Sequence, residues 1–419
     1  MKKYYSIAGI LIYGLMLLFA LNRHSRTGIH NFRSELWADK AGYYVYLPAT
    51  FIYNWDESKI QLGTDTLLGN GFKLDTLNHK INTKYPYCVA LLQAPFWLVA
   101  HMLSPEKDGF SIYYYKATNF SAVFYFLIGI GFVFFFLRRR YNIITSAITC
   151  MFLTFGTGLL YYTCIEGAMS HVYSFAAFAA LLYYVTLNKF DSKKYYVVVG
   201  LLAGLIFMLR PINIIFLGLI LLMVGVGNEG IAGRLKNLLD KRMFLFGLPL
   251  AVLIIIPQLC YNYYLTGSIT LDTYNNEKFI YLSSPKLAEV SFAPNNGLFL
   301  YYPMIFFVFL IAVFKFRKNK NELIIPIAFT LIYIFLYASW WAYALGCGLG
   351  QRAFVDILPF FALPITMSLQ GKYKYLSGAI FVLCMLHTFK LSFALCGCYF
   401  GSGDWDWVWF SQLIINPLH

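Results

Sequence analysis

An aspartate followed by a cluster of tyrosines stands directly after the first apolar run of the chain. Asp39 precedes Tyr43, Tyr44 and Tyr46 in a stretch where apolar sequence gives way to a long polar connection. A carboxylate at such a boundary is costly unless it is paired or used in chemistry. In a partly desolvated pocket, an aspartate can act as a general base toward a hydroxyl or as a nucleophile. The sequence therefore predicts a catalytic role for Asp39 and an aromatic substrate pocket formed by the three tyrosines.

A second interpretation leaves Asp39 without a chemical role. Aromatic residues are enriched where helices meet the membrane–water interface, so the tyrosines would form an interfacial belt. Asp39 would then pair with a neighbouring cation, Arg33 or Lys40.

Three cations stand at the ends of apolar runs and are candidates for binding an anion. Lys84 precedes the apolar piece 89–103, Arg210 separates two apolar runs, and Arg352 follows a glycine-rich turn. An arginine in apolar surroundings costs roughly 2.5–3.5 kcal/mol at the centre of a membrane, so an anionic partner is expected. A phosphate would serve, as would an internal carboxylate. For Lys84 the alternative is a lysine that extends its ammonium group toward the membrane surface.

The turn before Arg352 contains glycines at 346, 348 and 350, with no βαβ unit that would make it a nucleotide loop. A glycine-rich turn that leads into a helix offers free backbone N–H groups to an anion, and the guanidinium of Arg352 suits phosphate. Asp356, four residues further on, is predicted to orient that guanidinium on a helix. The alternative is a plain intrahelical Arg–Asp pair. Three further residues of the stretch are predicted to line the substrate pocket: Trp340, Trp341 and Gln351.

An acid and an imidazole lie five residues apart on the turn between the third and fourth predicted spans. Glu166 is predicted as a second acid of the site, and His171 as a residue that binds a substrate or an ion. Both could instead belong to the cap of the following helix, with Ser170 as the N-cap.

No metal or cofactor is indicated. The sequence contains no HExxH, no CxxC and no Cys/His spacing typical of metal sites. A divalent metal is compatible with the acids but has no pattern of its own. The eight cysteines are expected to be small buried apolar side chains. The tail sequence Asp404-Trp-Asp406 is similar to a metal-binding DxD motif, but an aromatic membrane anchor is the preferred interpretation.

The composition predicts an all-α polytopic membrane protein. The 419 residues are 59% hydrophobic, 20% aromatic and 12% charged, which leaves too little polar surface for a soluble fold. Apolar runs of helical spanning length, rather than short alternating segments, exclude a β-barrel. About eleven spans are predicted, within one membrane domain that covers 1–419: 4–21, 117–137, 143–161, 171–188, 195–210, 212–227, 243–262, 298–314, 323–339, 354–370 and 375–395. Two long outer loops, 23–113 and 263–297, connect them, with 89–103 as a juxtamembrane helix.

The distribution of charge predicts the orientation. With the N-terminus in the cytoplasm and the first span as an uncleaved anchor, the triplet 138–140 is cytoplasmic, as the positive-inside rule requires. The predicted cytoplasmic segments then hold 18 Lys and Arg against 4 acids, which accounts for the whole net charge of +14. The basic balance therefore reflects membrane topology rather than binding of nucleic acid. The functional groups are predicted to face outward.

Together these residues resemble the GT-C superfamily of integral-membrane glycosyltransferases, which includes protein O-mannosyltransferases and the aminoarabinose transferases of lipid A. The likeness rests on Asp39 just after the first span, on Lys84-Tyr-Pro86, and on the segments YYVYLPA, MSHVYSF, LRP and GLGQRAFVD. The chain departs from the mannosyltransferases at Lys40, where those enzymes carry a second acid.

The resemblance implies a multi-pass protein of a bacterial inner membrane with an extracytoplasmic active site. It implies transfer of a sugar, with inversion, from a polyprenyl-phosphate donor to a hydroxyl of a glycan, lipid or protein acceptor. Asp39 would be the general base and Glu166 a secondary acid, while Lys84, Arg210 and Arg352 would bind the donor phosphate. Two other functions stay open: a transporter or flippase for lipid-linked saccharides, which would place charges at mid-membrane on broken helices, and a non-catalytic scaffold.

Overall fold

The computed structural model describes residues 11–21, 35–187, 190, 192–223, 230–270, 277–395 and 398–415. The described part is mostly helical, and its one sheet is an antiparallel hairpin, β1 (Lys73–Asp75) with β2 (Lys80–Asn82), in which Leu74 faces Ile81. In chain order the α-helices are α1 (Leu11–Leu21), α2 (Asp39–Tyr44), α3 (Tyr46–Phe51), α4 (Thr64–Leu67), α5 (Cys88–Leu103), α6 (Ile112–Arg138), α7 (Ile143–Phe155), α8 (Leu159–Cys164), α9 (His171–Val185), α10 (Lys193–Leu209), α11 (Ile214–Met223), α12 (Gly230–Leu238), α13 (Leu248–Thr266), α14 (Leu287–Phe292), α15 (Leu298–Tyr301), α16 (Pro303–Lys315), α17 (Lys320–Ser339), α18 (Ala362–Ser368), α19 (Lys374–Ala394) and α20 (Trp407–Ile415).

Among the described residues, four helical segments are long and apolar enough to cross a membrane. They are Ile112–Arg138, Met243–Thr266, Glu322–Ser339 and Lys374–Ala394. Six shorter apolar helices accompany them, including α7, α9 and α16. The all-helical membrane class is therefore confirmed, but the predicted count of eleven spans is not. Hydropathy reports only the length of an apolar run and does not reveal where the helix within it is interrupted.

Three of the predicted spans are interrupted. The run 143–161 is divided into α7 and α8, the run 298–314 into α15 and α16, and the run 354–370 begins as a 3₁₀ helix, Arg352–Phe361, before it continues as α18. Irregular backbone at membrane depth is tolerated where it is buried in protein or lines a cavity. These interruptions therefore indicate where the bundle turns toward an internal site.

The interruptions pack against one another around Tyr302. The Tyr302 hydroxyl donates a hydrogen bond to the carbonyl of Leu349 in the glycine-rich turn. A Cβ atom at Gly158 would lie 2.3 Å from that same hydroxyl oxygen, so only glycine leaves room for the tyrosine there. Gly350 has φ +58° and faces Tyr301, which requires glycine on both counts. The glycine-rich turn is thus held by tyrosine side chains at the break between α15 and α16.

Helix α9 lies at the centre of the bundle, packed against α6, α10 and the 3₁₀ helix. At one end of α9 is His171. Near its other end, the Thr186 carbonyl accepts a hydrogen bond from Arg139 at 2.9 Å. Fifteen residues of α-helix span about 22 Å, so the basic triplet 138–140 and His171 lie at opposite ends of the bundle. We call the end at the triplet 138–140 the basic end and the end at His171, where a cavity opens, the cavity end.

At the cavity end, the first long loop forms an aromatic core of its own. Tyr46 packs against Trp55 and Tyr261, with ring centroids 5.6 and 4.9 Å apart. Trp97 of α5 donates its indole N–H to the Tyr44 hydroxyl at 2.7 Å. This core fixes α2 and α3 against α5, and thereby fixes the position of Asp39 at the start of α2.

A disulfide joins Cys347 in the glycine-rich turn to Cys398, which follows α19. The expectation that all cysteines are small apolar core residues is therefore wrong for these two. The pair has no recognisable spacing in the sequence, because 51 residues separate the two cysteines. The bond ties the tail of the chain to the glycine-rich turn.

The two carboxylates of the segment Asp404-Trp-Asp406 accept hydrogen bonds from other parts of the protein. Asp404 accepts hydrogen bonds from the Asn295 amide at 2.7 Å and from the Tyr343 hydroxyl at 2.5 Å. Asp406 accepts one from the backbone N–H of Trp409 at 2.9 Å, in the first turn of α20. Within the described ranges, no group of three or more His, Cys, Asp or Glu is arranged to hold a metal ion.

Candidate active site

A cavity of about 510 Å³ opens at the cavity end of the bundle. Eight of the residues predicted from the sequence line it: Asp39, Tyr43, Lys84, His171, Arg210, Trp340, Trp341 and Arg352. Tyr85, Glu277 and Tyr337 line it as well. Groups that are up to 313 positions apart in sequence therefore share one space.

Asp39 is held by two donors. Its Oδ2 accepts a hydrogen bond from the Arg352 guanidinium at 2.8 Å, and its Oδ1 accepts one from the Tyr85 hydroxyl at 2.5 Å. Asp39 starts α2 immediately after Ala38, whose φ of +54° turns the chain into the helix. At Gly42 of α2, a Cβ atom would lie 2.1 Å from the Tyr85 ring, so glycine is needed for that ring to reach the carboxylate.

The pKa of the Asp39 carboxyl group lies below its ordinary value. Burial acts to raise this pKa, but the charge of Arg352, the Tyr85 hydrogen bond and the charge of Lys84 together outweigh it. Asp39 is therefore ionised at neutral pH although only 29% of its side-chain surface is accessible. Burial is the largest single influence and acts in the opposite direction, so the lowered pKa of Asp39 is due to the neighbouring cations and the Tyr85 hydroxyl.

Each of the three cations has an acidic neighbour. Arg352 binds Asp39, Lys84 forms an ion pair with Glu277, and a guanidinium nitrogen of Arg210 lies 3.7 Å from Asp356. Lys84 is the most exposed of the three, with 42% of its side-chain surface accessible. Arg210 also donates a hydrogen bond to the Tyr337 hydroxyl at 3.0 Å. The cavity thus combines concentrated positive charge with internal carboxylates that balance it.

Asp356 does not orient Arg352, and that prediction is wrong. Residues Arg352–Phe361 form a 3₁₀ helix rather than an α-helix. With about three residues per turn, position i+4 points roughly 120° away from position i. Asp356 is fully buried and instead meets Arg210, the Asn213 amide at 3.0 Å and the His171 ring nitrogen at 2.9 Å.

Two solved structures have a similar architecture. The crystal structure of the oligosaccharyltransferase of Archaeoglobus fulgidus in its apo form is similar over 93% of this chain, with 12% identity and a TM-score of 0.53. The structure of the archaeal oligosaccharyltransferase AglB from the same organism, in complex with an inhibitory peptide and a dolichol-phosphate, is similar over 92% of this chain, with 13% identity and a TM-score of 0.51.

The chain shares its fold with these two oligosaccharyltransferases. It spans about half the length of these neighbours, since the matched parts cover 56% and 55% of their chains. No protein-family model and no curated protein sequence matches it. The likeness confirms the GT-C resemblance at the level of the fold.

Four predicted residues lie outside the cavity lining, in addition to Asp356. The Tyr44 hydroxyl donates to the carbonyl of Gly109, and the Tyr46 hydroxyl donates to the carbonyl of Tyr85 at 2.8 Å. Both tyrosines therefore belong to the aromatic core that supports α2. Of the predicted tyrosine pocket, only Tyr43 reaches the cavity.

Glu166 and Gln351 also serve neighbouring residues. Glu166 binds the buried Lys40 ammonium group at 2.8 Å, so it neutralises the cation next to Asp39. Gln351 is fully buried and donates to the Tyr343 carbonyl at 3.0 Å while it accepts from Tyr333. The suggested partner Lys40 is therefore not the partner of Asp39, and Arg33 lies outside the described residues.

Three polar residues that line the cavity are not predicted from the sequence. Tyr85 lies within the segment Lys84-Tyr-Pro86, in which only the charged lysine is predicted to bind an anion. Tyr337 lies inside an apolar run and Glu277 in a polar loop, so neither has a local pattern that marks it. Each enters the cavity because a distant element brings it there.

The balance that keeps Asp39 ionised leads to a prediction. Replacing Arg352 by Gln removes the principal cation while burial persists, so the pKa of Asp39 should rise above the wild-type value. The carboxylate would then take up its proton at a higher pH during acidification. Infrared difference spectroscopy across a pH titration would follow the carbonyl band of the protonated carboxyl group, with Asp39→Asn used to assign it. An unchanged titration midpoint in Arg352→Gln would show that Arg352 does not control the charge of Asp39.

Proposed function

We propose that the chain is a membrane glycosyltransferase that transfers a sugar from a polyprenyl-phosphate donor to a hydroxyl group of an acceptor. The observation that carries this proposal is the convergence of a partly buried, ionised carboxylate and three cations on one cavity of a GT-C fold. The acceptor is a glycan, a lipid or a protein. A neighbour of the same fold was solved with a dolichol-phosphate and a peptide, which supports a lipid-linked donor.

The donor phosphate binds among Lys84, Arg210 and Arg352. Hydrogen bonds in which both partners are charged are short and strong, and a guanidinium can bind phosphate with two parallel N–H groups. Because each cation already has a carboxylate partner, the phosphate must displace one of these carboxylates. Glu277 is the partner most readily displaced, since it pairs with the half-exposed Lys84. Arg352 also turns toward the phosphate and loosens its hold on Asp39.

This competition couples donor binding to catalysis. While Arg352 binds Asp39, the carboxylate is a weak base because its pKa is depressed. Once the phosphate engages Arg352, burial raises the basicity of Asp39, and the base becomes effective when the donor is in place. The acceptor oxygen attacks C1 of the sugar, the C1–phosphate bond breaks, and the hydroxyl proton passes to Asp39. The reaction inverts C1 and releases polyprenyl phosphate, a leaving group that needs no strong general acid.

The remaining predicted residues have supporting roles. Tyr43, Trp340 and Trp341 form aromatic walls against which a sugar ring packs. Glu166 is a positioning residue, because it neutralises Lys40 and so holds the start of α2 beside the cavity. Asp356 positions Arg210 and His171, and Gln351 fixes the backbone before Arg352.

The cavity end faces the extracytoplasmic side of a bacterial inner membrane. The basic end carries the triplet 138–140, which the positive-inside rule places in the cytoplasm, and the cavity lies at the other end of α9. A disulfide persists in oxidising compartments, and Cys347–Cys398 lies at the cavity end. A transporter is the less favoured function, because its binding groups would lie near mid-membrane rather than at one end of the central helix.

The orientation can be tested by labelling. A single cysteine introduced at Arg139 should react with a membrane-impermeant maleimide only after the cells are permeabilised, whereas one introduced at the exposed Lys107 of the first loop should react in intact cells. Reversed accessibility at the two positions would place the cavity in the cytoplasm and exclude the extracytoplasmic reaction.

Donor binding can be tested with undecaprenyl phosphate as the probe. Arg352→Ala should weaken its binding by about 10-fold to 100-fold, the effect of losing a charge-assisted hydrogen bond of roughly 1.5–3 kcal/mol. Glu277→Gln should tighten binding by roughly threefold, because a competing and partly exposed carboxylate is removed. Glu289→Gln is the matched control, since Glu289 pairs with Lys286 outside the cavity lining. Unchanged affinity in Arg352→Ala would remove Arg352 from the donor site.

The role of Asp39 as the base can be tested by its closest isostere. Asp39→Asn keeps the shape but accepts no proton, so transfer of labelled sugar from undecaprenyl-phosphate hexoses in membranes should fall by about two to four orders of magnitude. Binding of undecaprenyl phosphate and expression should stay near the parental level. Asp56→Asn, at an exposed position of the same loop, is the control for loss of charge. Parental turnover in Asp39→Asn would mean that Asp39 is not the base.

A further inference from the structure

His171 places one ring nitrogen against a buried carboxylate and the other toward the cavity. The residue is 3% exposed, and its Nδ1 lies 2.9 Å from Oδ1 of Asp356. Its Nε2 has no hydrogen-bond partner among the described residues. This atom is not fully enclosed by the protein, so part of its surface is accessible. Since the ring lines the cavity, Nε2 meets the space that a ligand would fill.

The surroundings of Nδ1 determine where the ring carries its hydrogen. Besides Asp356, a guanidinium nitrogen of Arg210 lies 3.2 Å from Nδ1. One nitrogen cannot donate to the carboxylate and also accept from the guanidinium. The contact with the carboxylate is shorter and joins a donor to an anion, so Nδ1 carries the hydrogen and donates to Asp356. Burial of the ring is the main influence against a second proton, and the positive charge of Arg210 adds to it; together they outweigh the carboxylate of Asp356, which acts in the opposite direction.

His171 is therefore a neutral imidazole with an acceptor at Nε2. Among the other polar groups of the cavity, the three cations and the Tyr337 hydroxyl can donate hydrogen bonds, whereas Tyr43 and Tyr85 already donate their hydroxyl hydrogens to Ser170 and Asp39. The carboxylate of Glu277 already accepts a hydrogen bond from Lys84. Both oxygens of Asp39 already accept a hydrogen bond. A buried acceptor without a donor costs free energy, so a ligand that brings a hydroxyl group to Nε2 gains by satisfying it.

We propose that Nε2 of His171 accepts a hydrogen bond from a ring hydroxyl of the transferred sugar, which makes His171 a specificity-determining residue. The inference rests on the proposed glycosyl transfer and deepens it. The donor is then a polyprenyl-phosphate sugar with a free hydroxyl at the position that faces His171. A deoxy analogue at that position is bound less well. Asp356 is the positioning residue, because it fixes the hydrogen on Nδ1 and leaves Nε2 as an acceptor.

The position of His171 beside Arg210 supports a sugar contact. Arg210 is one of the proposed phosphate ligands, and it lies against the same imidazole ring. A sugar joined to a phosphate held by Arg210 and Arg352 therefore lies within reach of Nε2. Tyr162 packs its ring edge-to-face against the imidazole at 5.1 Å between centroids, which limits rotation of the ring. The acceptor is thus held in one direction before the ligand enters.

The test compares lipids with and without the sugar. Binding of undecaprenyl phosphate and of undecaprenyl-phosphate glucose, mannose and galactose is measured for the wild type, His171→Phe and His171→Gln in nanodiscs. We expect His171→Phe to weaken the best-bound hexose lipid about fivefold to tenfold, the usual effect of one lost hydrogen bond, and to leave undecaprenyl phosphate within about twofold. In His171→Gln the amide N–H can face Asp356 and its oxygen the cavity, so binding should recover in part.

Monodeoxy derivatives of the best-bound hexose complete the test. One of them should lose about fivefold to tenfold in affinity for the wild type and show no further loss with His171→Phe, because the same bond is already absent. Equal weakening of the lipids with and without sugar by His171→Phe would make the residue a support of the phosphate site and overturn the inference. Unchanged binding of every lipid in His171→Phe would overturn it as well.

The failure of this inference and of the proposed function differ in the wild type. If the wild type binds undecaprenyl phosphate but no hexose lipid more tightly, the sugar contact is refuted while the donor site stands. If it binds none of the lipids, the polyprenyl-phosphate donor itself is refuted, and the inference falls with it.

Discussion

The ion pair between Asp39 and Arg352 joins the two halves of the cavity. Asp39 begins α2, and Arg352 follows the glycine-rich turn 313 positions later. Removing two charged groups from water costs several kcal/mol for each ion, which only good geometry and additional hydrogen bonds offset. Tyr85 supplies one such bond. The pair is therefore stable only while the first loop and the glycine-rich turn keep their relative positions, and most of the surrounding architecture serves that requirement.

The broken helices meet this requirement at the glycine-rich turn. Tyr302 at the break between α15 and α16 reaches the Leu349 carbonyl, and Tyr162 of α8 donates to the same oxygen at 3.2 Å. The disulfide at Cys347 restrains the turn from the side of the tail. Two tyrosines and a covalent bond hold this irregular turn, and so fix the position of the backbone that carries Arg352. The cost of interrupting the helices is offset by the hydrogen bonds that the exposed backbone groups gain in the site.

The carboxylates around the cavity differ in how readily an incoming phosphate can displace them. The three cations of the cavity each meet an internal carboxylate, so their positive charge is compensated within the protein. An incoming phosphate competes with carboxylates of different strength: Glu277 lies at a partly exposed cation, whereas Asp356 is enclosed with three partners. Displacement is therefore easiest at Lys84. The enclosed pair behind it keeps Arg210 and His171 in place.

The sequence by itself determined the class of the protein and the residues with unusual surroundings. Its apolar runs indicated membrane helices, and charged residues at the ends of those runs marked Asp39, Lys84, Arg210 and Arg352, because a charge is expensive there whatever the fold. All four reach one cavity. This success has a local cause: the cost of placing charge next to apolar sequence is visible along the chain.

Only the tertiary structure decided which charge meets which, and where helices break. Asp356 was assigned to Arg352 on α-helical spacing, but the 3₁₀ geometry turned it toward Arg210 and His171. Tyr44 and Tyr46 lie in a supporting core because α2 and α3 place adjacent side chains on different faces. The Cys347–Cys398 bond and the entry of Glu277 depend on loops that approach from distant parts of the chain. Long-range pairing is set by packing, and sequence spacing carries no record of it.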